Sequence, residues 1–325
     1  MAATMKDVAK LAGVSLGTVS RVVNNNTQVK EKTKQKVKAA INELGYIPDD
    51  YARGLKTQRS MFVALILPTI WHPFFSEFAY YVESELTKRG YKLLICNSDG
   101  DAEKERKYIQ MVKKNKIDGI IGITYSAIDR YVSANLPLVS IDRSFTEPVS
   151  YVSSDNFNGG EIALDELLRH GATNLAYISG YSRYKNETTK RHDGFLSQAA
   201  KCGVQVTDLF VPEPITNLDE LLRRLFIRNP NIDGIFCVND TMLMDVRNYL
   251  ARHGKHVPSD IQMIGFDGIA LGPSNDLGLS TIVQPVPEMA QAAVKALFDR
   301  IERPNQPTQI KILPVSFKEG GTTRN

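Results

Sequence analysis

One segment of this chain occurs twice. Ile117-Asp118-Gly119-Ile120-Ile121-Gly122-Ile123 is echoed by Ile232-Asp233-Gly234-Ile235-Phe236-Cys237-Val238, in each case an acid and a glycine leading into a short apolar run. Such a run, bounded by turn residues, reads as a strand buried on both faces. Similar runs at 62–67, 92–96 and 138–141 accompany the first copy, and runs at 175–179 and 261–266 accompany the second. Between them, 73–89 closed by Gly90 and 101–114 carry apolar residues at helical spacing. Strands alternating with helices predict parallel sheets, and an alternation that restarts predicts two doubly wound α/β lobes. Open parallel sheets bind ligands beyond the carboxyl ends of their strands, so two facing lobes make a cleft. The polar and aromatic residues just after the strands are the candidates to line it: Thr69, Trp71, His72, Phe74 and Phe75 after the first, Asp142 and Arg143 after the fourth, then Asn239 and Asp267.

Charge divides the chain differently. Residues 1–59 hold eleven Lys or Arg against five acids, a surplus of +6, whereas the remainder holds 29 against 31. A small basic head on a slightly acidic body is the footprint of a polyanion-binding module joined to something else. The longest apolar run, 61–67, is far below the roughly 18 to 20 residues that cross a bilayer, and no signal-peptide core precedes it. A soluble, cytoplasmic protein with no membrane partner is expected. Cys96, Cys202 and Cys237 are odd in number and widely spaced, so they read as buried thiols, with neither a disulfide framework nor a metal site.

The head itself reads as three helices. Thr4 with Asp7 starts the first, and Gly13 stops it; Ser15 caps the second, whose Leu16, Val19, Val22 and Val23 share a face, until the run Asn24-Asn25-Asn26-Thr27. The third spans 32–44 and ends at Gly45. Two helices joined by a tight glycine turn, then a third to complete the core, make a helix-turn-helix.

Lys6-Asp7-Val8-Ala9-Lys10-Leu11-Ala12-Gly13-Val14-Ser15, Thr18-Val19-Ser20-Arg21-Val22-Val23-Asn24 and Leu44-Gly45-Tyr46-Ile47-Pro48 closely resemble the head of the lactose/galactose repressor (LacI/GalR) family of bacterial transcription regulators. The resemblance implies that the second helix lies in the major groove of operator DNA. Ser15, Thr18, Ser20 and Asn24 then suit phosphate or sugar, and Arg21 phosphate or guanine. The base-reading pair falls on Leu16 and Gly17, and glycine has no side chain with which to read. It also implies a hinge helix at 48–60, where Leu55 would wedge into the minor groove supported by Tyr51 and Ala52, with Gly54 weakening the helix.

The body likewise resembles the family's core, which is similar to periplasmic sugar-binding proteins. The expected fold is therefore an all-α head, residues 1–47, on a two-lobed periplasmic-binding-protein-like α/β core, residues 61–325. Lobe one would take about 61–158 and 288–312, and lobe two 159–287 and 313–325. Carried over residue by residue, Arg191 matches the arginine that contacts effector, Asn239 and Asp267 match the groups that hold sugar hydroxyls, and Gln284 matches a position near the lobe crossover. Trp71, Phe74, Phe75 and Phe266 would cover the apolar face of a pyranose.

The expected function is a homodimeric repressor of a carbohydrate operon, bound to pseudo-palindromic DNA and controlled by a sugar or sugar phosphate, with no cofactor. A purine, a nucleoside or a phosphocarrier protein stays open as the effector. A sugar-processing enzyme is the alternative from another class. Against it, no GxGxxG follows a strand, no Walker lysine motif or HExxH occurs, and the five histidines are scattered. Gly13-Val14-Ser15-Leu16-Gly17 fits a nucleophile elbow in spelling only, since a helix and not a buried strand precedes it.

Overall fold

The computed structural model describes residues 3–23, 28–46, 59–114, 116–184, 186–272 and 274–324. Two compact units divide the chain, Met1–Ser60 and Met61–Asn325.

In the first unit, helices α1 (Met5–Ala12), α2 (Leu16–Val23) and α3 (Glu31–Leu44) follow the expected order. Thr4 and Asp7 form a reciprocal capping box, and Gly13 ends α1 at a φ of 66°, where a side chain would be strained. Ser15 Oγ accepts the Thr18 N–H at 3.2 Å, the cap expected for α2. Val8, Val19, Val22 and Val37 are buried together as the small core.

The second unit holds two six-stranded sheets. The first is ordered β11-β5-β4-β3-β1-β2 and built of β1 (Phe62–Leu67), β2 (Lys92–Asn97), β3 (Gly119–Gly122), β4 (Leu138–Ile141), β5 (Ser150–Ser154) and β11 (Ile310–Leu313). The second repeats the topology as β12-β10-β9-β8-β6-β7, from β6 (Leu175–Tyr181), β7 (Val206–Pro212), β8 (Gly234–Cys237), β9 (Gln262–Asp267), β10 (Thr281–Val283) and β12 (Ser316–Lys318). All pairings are parallel except β10 with β12.

The repeated segment now has a physical meaning. Asp118 Oδ2 accepts the N–H of Met61, and the Asp233 carboxylate accepts the N–H groups of Thr173 and Asn174. In both lobes an acid just before the central strand ties down the chain as it enters the first strand. The glycine after it pairs with the start of that strand, Val63 opposite Gly119 and Leu175 opposite Gly234.

Helices cover both faces. In lobe one α4 (Pro73–Thr87) shares a core with the C-terminal α10 (Val286–Glu302), where Phe78, Val82, Leu86, Met289 and Leu297 are buried, while α5 (Ala102–Lys113) packs on the opposite face. In lobe two α6 (Asn156–Arg169) and α7 (Thr189–Cys202) cover one face, and α8 (Leu218–Arg228) with α9 (Asp240–Arg252) cover the other. The chain passes between the sheets after Ser154, after Val283 and after Leu313. No helix among the described residues is long and apolar enough to cross a membrane. Of the three cysteines Cys96 and Cys237 are buried, but Cys202 is exposed where α7 ends, so the expectation of three buried thiols fails there.

Candidate functional site

Two surfaces carry the residues singled out from the sequence. On the head, Ser15, Leu16, Gly17 and Arg21 of α2 and its cap are exposed, while Thr18 and Ser20 are half-buried. Leu16 leaves 44% of its surface open at the start of the helix. Asn24, Tyr51, Ala52 and Leu55 lie outside the described residues.

In the core, a cavity of about 240 Å³ opens at the carboxyl ends of strands from both sheets. Lobe one contributes Pro68, His72, Phe74, Phe75, Tyr125 and Asp142; lobe two contributes Gly180, Asn186, Thr188, Arg191, Glu213, Val238, Asn239 and Asp267; Gln284 joins from the crossover. Eight residues proposed from sequence (His72, Phe74, Phe75, Asp142, Arg191, Asn239, Asp267 and Gln284) thus line one cavity.

Four others do not, among them Arg143, whose guanidinium is spent on Asp129 and on the carbonyl oxygens of Thr124 and Ser126. Trp71 is 91% exposed and faces solvent, because the chain turns outward before α4. Thr69 spends its hydroxyl on that turn, accepting the Trp71 N–H at 3.1 Å. Phe266 is fully buried and lies under Arg191, whose guanidinium carbon is 3.6 Å from the ring centroid. It supports the arginine and does not reach the cavity.

Arg191 is the centre of the arrangement. Its Nε donates to Asn156 Oδ1 at 2.7 Å, and Nη1 donates to Val238 O at 2.6 Å and Asp267 Oδ1 at 3.3 Å. Gln284 Nε2 donates to the same Asp267 oxygen at 2.7 Å, and Gln284 Oε1 accepts from Ser154 Oγ at 2.7 Å. The helix that carries Arg191 reaches this position because glycines let it lie against its neighbour: a Cβ at Gly160 would sit 2.1 Å from Arg191 O, and one at Gly194 would sit 1.9 Å from Phe157 O. Planar donors and acceptors are therefore held rigid at a partly apolar wall, the chemistry that vicinal hydroxyls need.

Two aspartates here have unusual backbones, φ being 54° at Asp142 and 107° at Asp267. Such conformations cost about 1 to 3 kcal/mol each and gather where side chains must be aimed. Asp142 accepts from Ser153 Oγ at 2.6 Å, yet burial pushes its carboxyl up to about 6. Behind the wall, Asp240 is fully buried and accepts the Ile269 N–H at 2.9 Å; burial, with the charge of Asp267, pushes it up to about 7. Asn239 has a second duty, because its Oδ1 caps α9 by accepting the Met242 N–H at 2.8 Å.

His72, one of the residues expected at the cleft, joins the two lobes. The Thr241 hydroxyl donates to Asn239 Oδ1 at 3.1 Å, so His72 Nε2 must be the donor into Thr241 Oγ1 at 2.7 Å. Nδ1, buried and without a hydrogen-bond partner among the described residues, then carries no proton. Burial lowers the imidazole pKa accordingly, against the opposing pull of Asp267. Asn156, Tyr125, Asn186, Thr188 and Glu213 carried no signal in the sequence, since each sits in a loop or at a helix start that no motif marks.

Residues 4–49 match the family described as bacterial regulatory proteins, lacI family, and residues 164–323 match a periplasmic binding protein-like domain. The chain is 36% identical to the sucrose operon repressor of Streptococcus mutans, over 98% of its own length and 99% of the relative's. It is also 36% identical to the ribose operon repressor of Bacillus subtilis, over 99% of both chains. Among solved structures, a complex of the transcriptional regulator CelR with cellobiose is 25% identical over 98% of this chain and 99% of that one, with a TM-score of 0.70. The lac repressor dimer bound to operator and an anti-inducer shares the fold over the full length of both chains, with a TM-score of 0.84 at 21% identity. The helix-turn-helix head, the duplicated α/β core and relatives matched from end to end place this chain in the lacI family of bacterial regulatory proteins.

Proposed function

We propose that the protein is a cytoplasmic repressor of a sugar-utilisation operon, a homodimer that binds a pseudo-palindromic operator through α2 and releases or grips it according to the sugar held between its lobes. Relatives named for sucrose and ribose operons support the sugar reading. One observation carries it: a buried guanidinium fixed by Asn156, Val238 and Asp267, with Gln284 beside it, at an aromatic-walled cleft between two lobes. A ligand seated there touches both lobes, and can shift their relative arrangement only by binding one arrangement better than the other.

The volume favours a small ligand, since about 240 Å³ lies below the roughly 300 to 1,000 Å³ of drug-sized sites. The test is melting and calorimetric titration of the full-length protein with ribose, fructose, glucose and sucrose. A ligand at a hundredfold its Kd stabilises by about 2.7 kcal/mol, a rise in melting temperature of several degrees. Arg191→Ala should remove that rise. A rise that survives the substitution assigns the ligand to another site.

A further inference from the structure

This inference rests on the sugar reading and concerns which form of the sugar the cleft accepts. Among the described residues the cavity wall bears three carboxylates, Asp142, Glu213 and Asp267, against one guanidinium. Arg191 is largely committed, Nη1 to Val238 O and Asp267, Nε to Asn156, and its flat face to Phe266, which leaves Nη2 to offer. Among the described residues no hydrogen bond or ion pair holds the Glu213 carboxylate. It is nevertheless placed: its backbone N–H donates to Tyr181 O at 3.0 Å, and its side chain lies across Gly180, where a Cβ would come within 2.4 Å of Glu213 Cγ.

The other usual source of anion donors, the helix starts beside the cavity, is largely taken. Phosphate groups settle on free N–H groups at helix starts. Here α4 begins with Pro73, which has no N–H, and the start of α9 is occupied by the Asn239 side chain, with the Asp240 carboxylate in its first turn. Ahead of α7, the Thr188 N–H is taken by Asn186 Oδ1, and the Lys190 and Arg191 N–H groups by Glu187 O and Thr188 O.

We propose that the cleft selects by charge, admitting unphosphorylated sugars and rejecting their phosphate esters, and that Glu213 is the residue that makes this distinction at the cavity wall. Like charges brought together without a counterion are strongly penalised.

The experiment titrates full-length protein calorimetrically with fructose, ribose and sucrose and with the phosphate monoester of each. The free sugar that binds should do so at least about tenfold more tightly than its ester. In Glu213→Gln, which keeps shape and removes charge, that ratio should fall severalfold, with the melting temperature of the unliganded protein as the check on folding. An ester that binds as tightly as the free sugar overturns the proposal and leaves the sugar reading standing. A ratio unchanged in Glu213→Gln overturns the assignment to Glu213. A protein that binds neither form overturns the sugar reading and this inference with it.

Discussion

At the scale of single residues, the acids that shape the cleft weaken the fold in which they sit. Burial disfavours the charged forms of Asp240 and Asp142 and pushes them up to about 7 and about 6, whereas in an unfolded chain each lies at about 3.9. Between about pH 4 and 7 the folded protein therefore holds protons that the unfolded chain has released. Their contribution to stability is greatest at the acid end of that window and falls as pH rises through the folded values. The urea midpoint should accordingly be higher at pH 5 than at pH 8. Asp240→Asn, close in shape and free of charge, should flatten the dependence and be the more stable form at pH 8 by roughly 1 kcal/mol or more. Equal midpoints for the two proteins at pH 8 would contradict the burial argument. Sequence gave the identities of Asp142 and Asp267 through their place after apolar runs. It could not give the orphaned Asp240 Oδ1 or the His72 proton, because both depend on residues brought in from the other end of a lobe or from the other lobe.

Among the elements, what could be read in advance divides by burial. The strands Phe62–Leu67 and Leu138–Ile141 run where the apolar runs predicted them, because covering a strand on both faces favours apolar side chains. The edge strands Val206–Pro212 and Ile310–Leu313 escaped notice, since they are half-buried or exposed and carry mixed residues. Ser150–Ser154 is buried but serine-rich, its hydroxyls serving Asp142, Gln284 and Gln309 N–H. The close approach of α6 and α7 was equally hidden, being written only in Gly160 and Gly194. Gly194→Ala would push its methyl group into Phe157 O and part the two helices. We expect a loss of about 1 to 3 kcal/mol, typical of overpacking, together with weaker sugar binding as Arg191 Nε draws away from Asn156. Both are measurable in one set of urea and calorimetric titrations. Lost stability with unchanged sugar affinity would show that the helix contact does not position Arg191.

For the whole molecule, the charge division and the division into compact units fall at nearly the same place, the basic surplus within residues 1–59 and the boundary at Ser60. Each unit has its own buried core, so the two activities should separate. A chain of residues 61–325 should retain the sugar-dependent rise in melting temperature and bind no operator, because the acidic body has no surplus charge to offer phosphate. The intact protein should bind operator with a steep salt dependence. If two heads together neutralise six or more phosphates, affinity falls about a thousandfold or more between 50 and 200 mM salt. Arg21→Ala, on the exposed side of α2, should lower the steepness by about one counterion per head if it meets phosphate. If it reads guanine instead, the same substitution should relax preference at one base pair of each half-site and weaken the right sequence more than the wrong one. Sugar at saturation should change the specific affinity and leave the salt-driven, sequence-independent component in place, since a ligand in the core does not alter the charge of the basic head. An operator affinity indifferent to every sugar that raises the melting temperature would mean that the cleft binds without regulating.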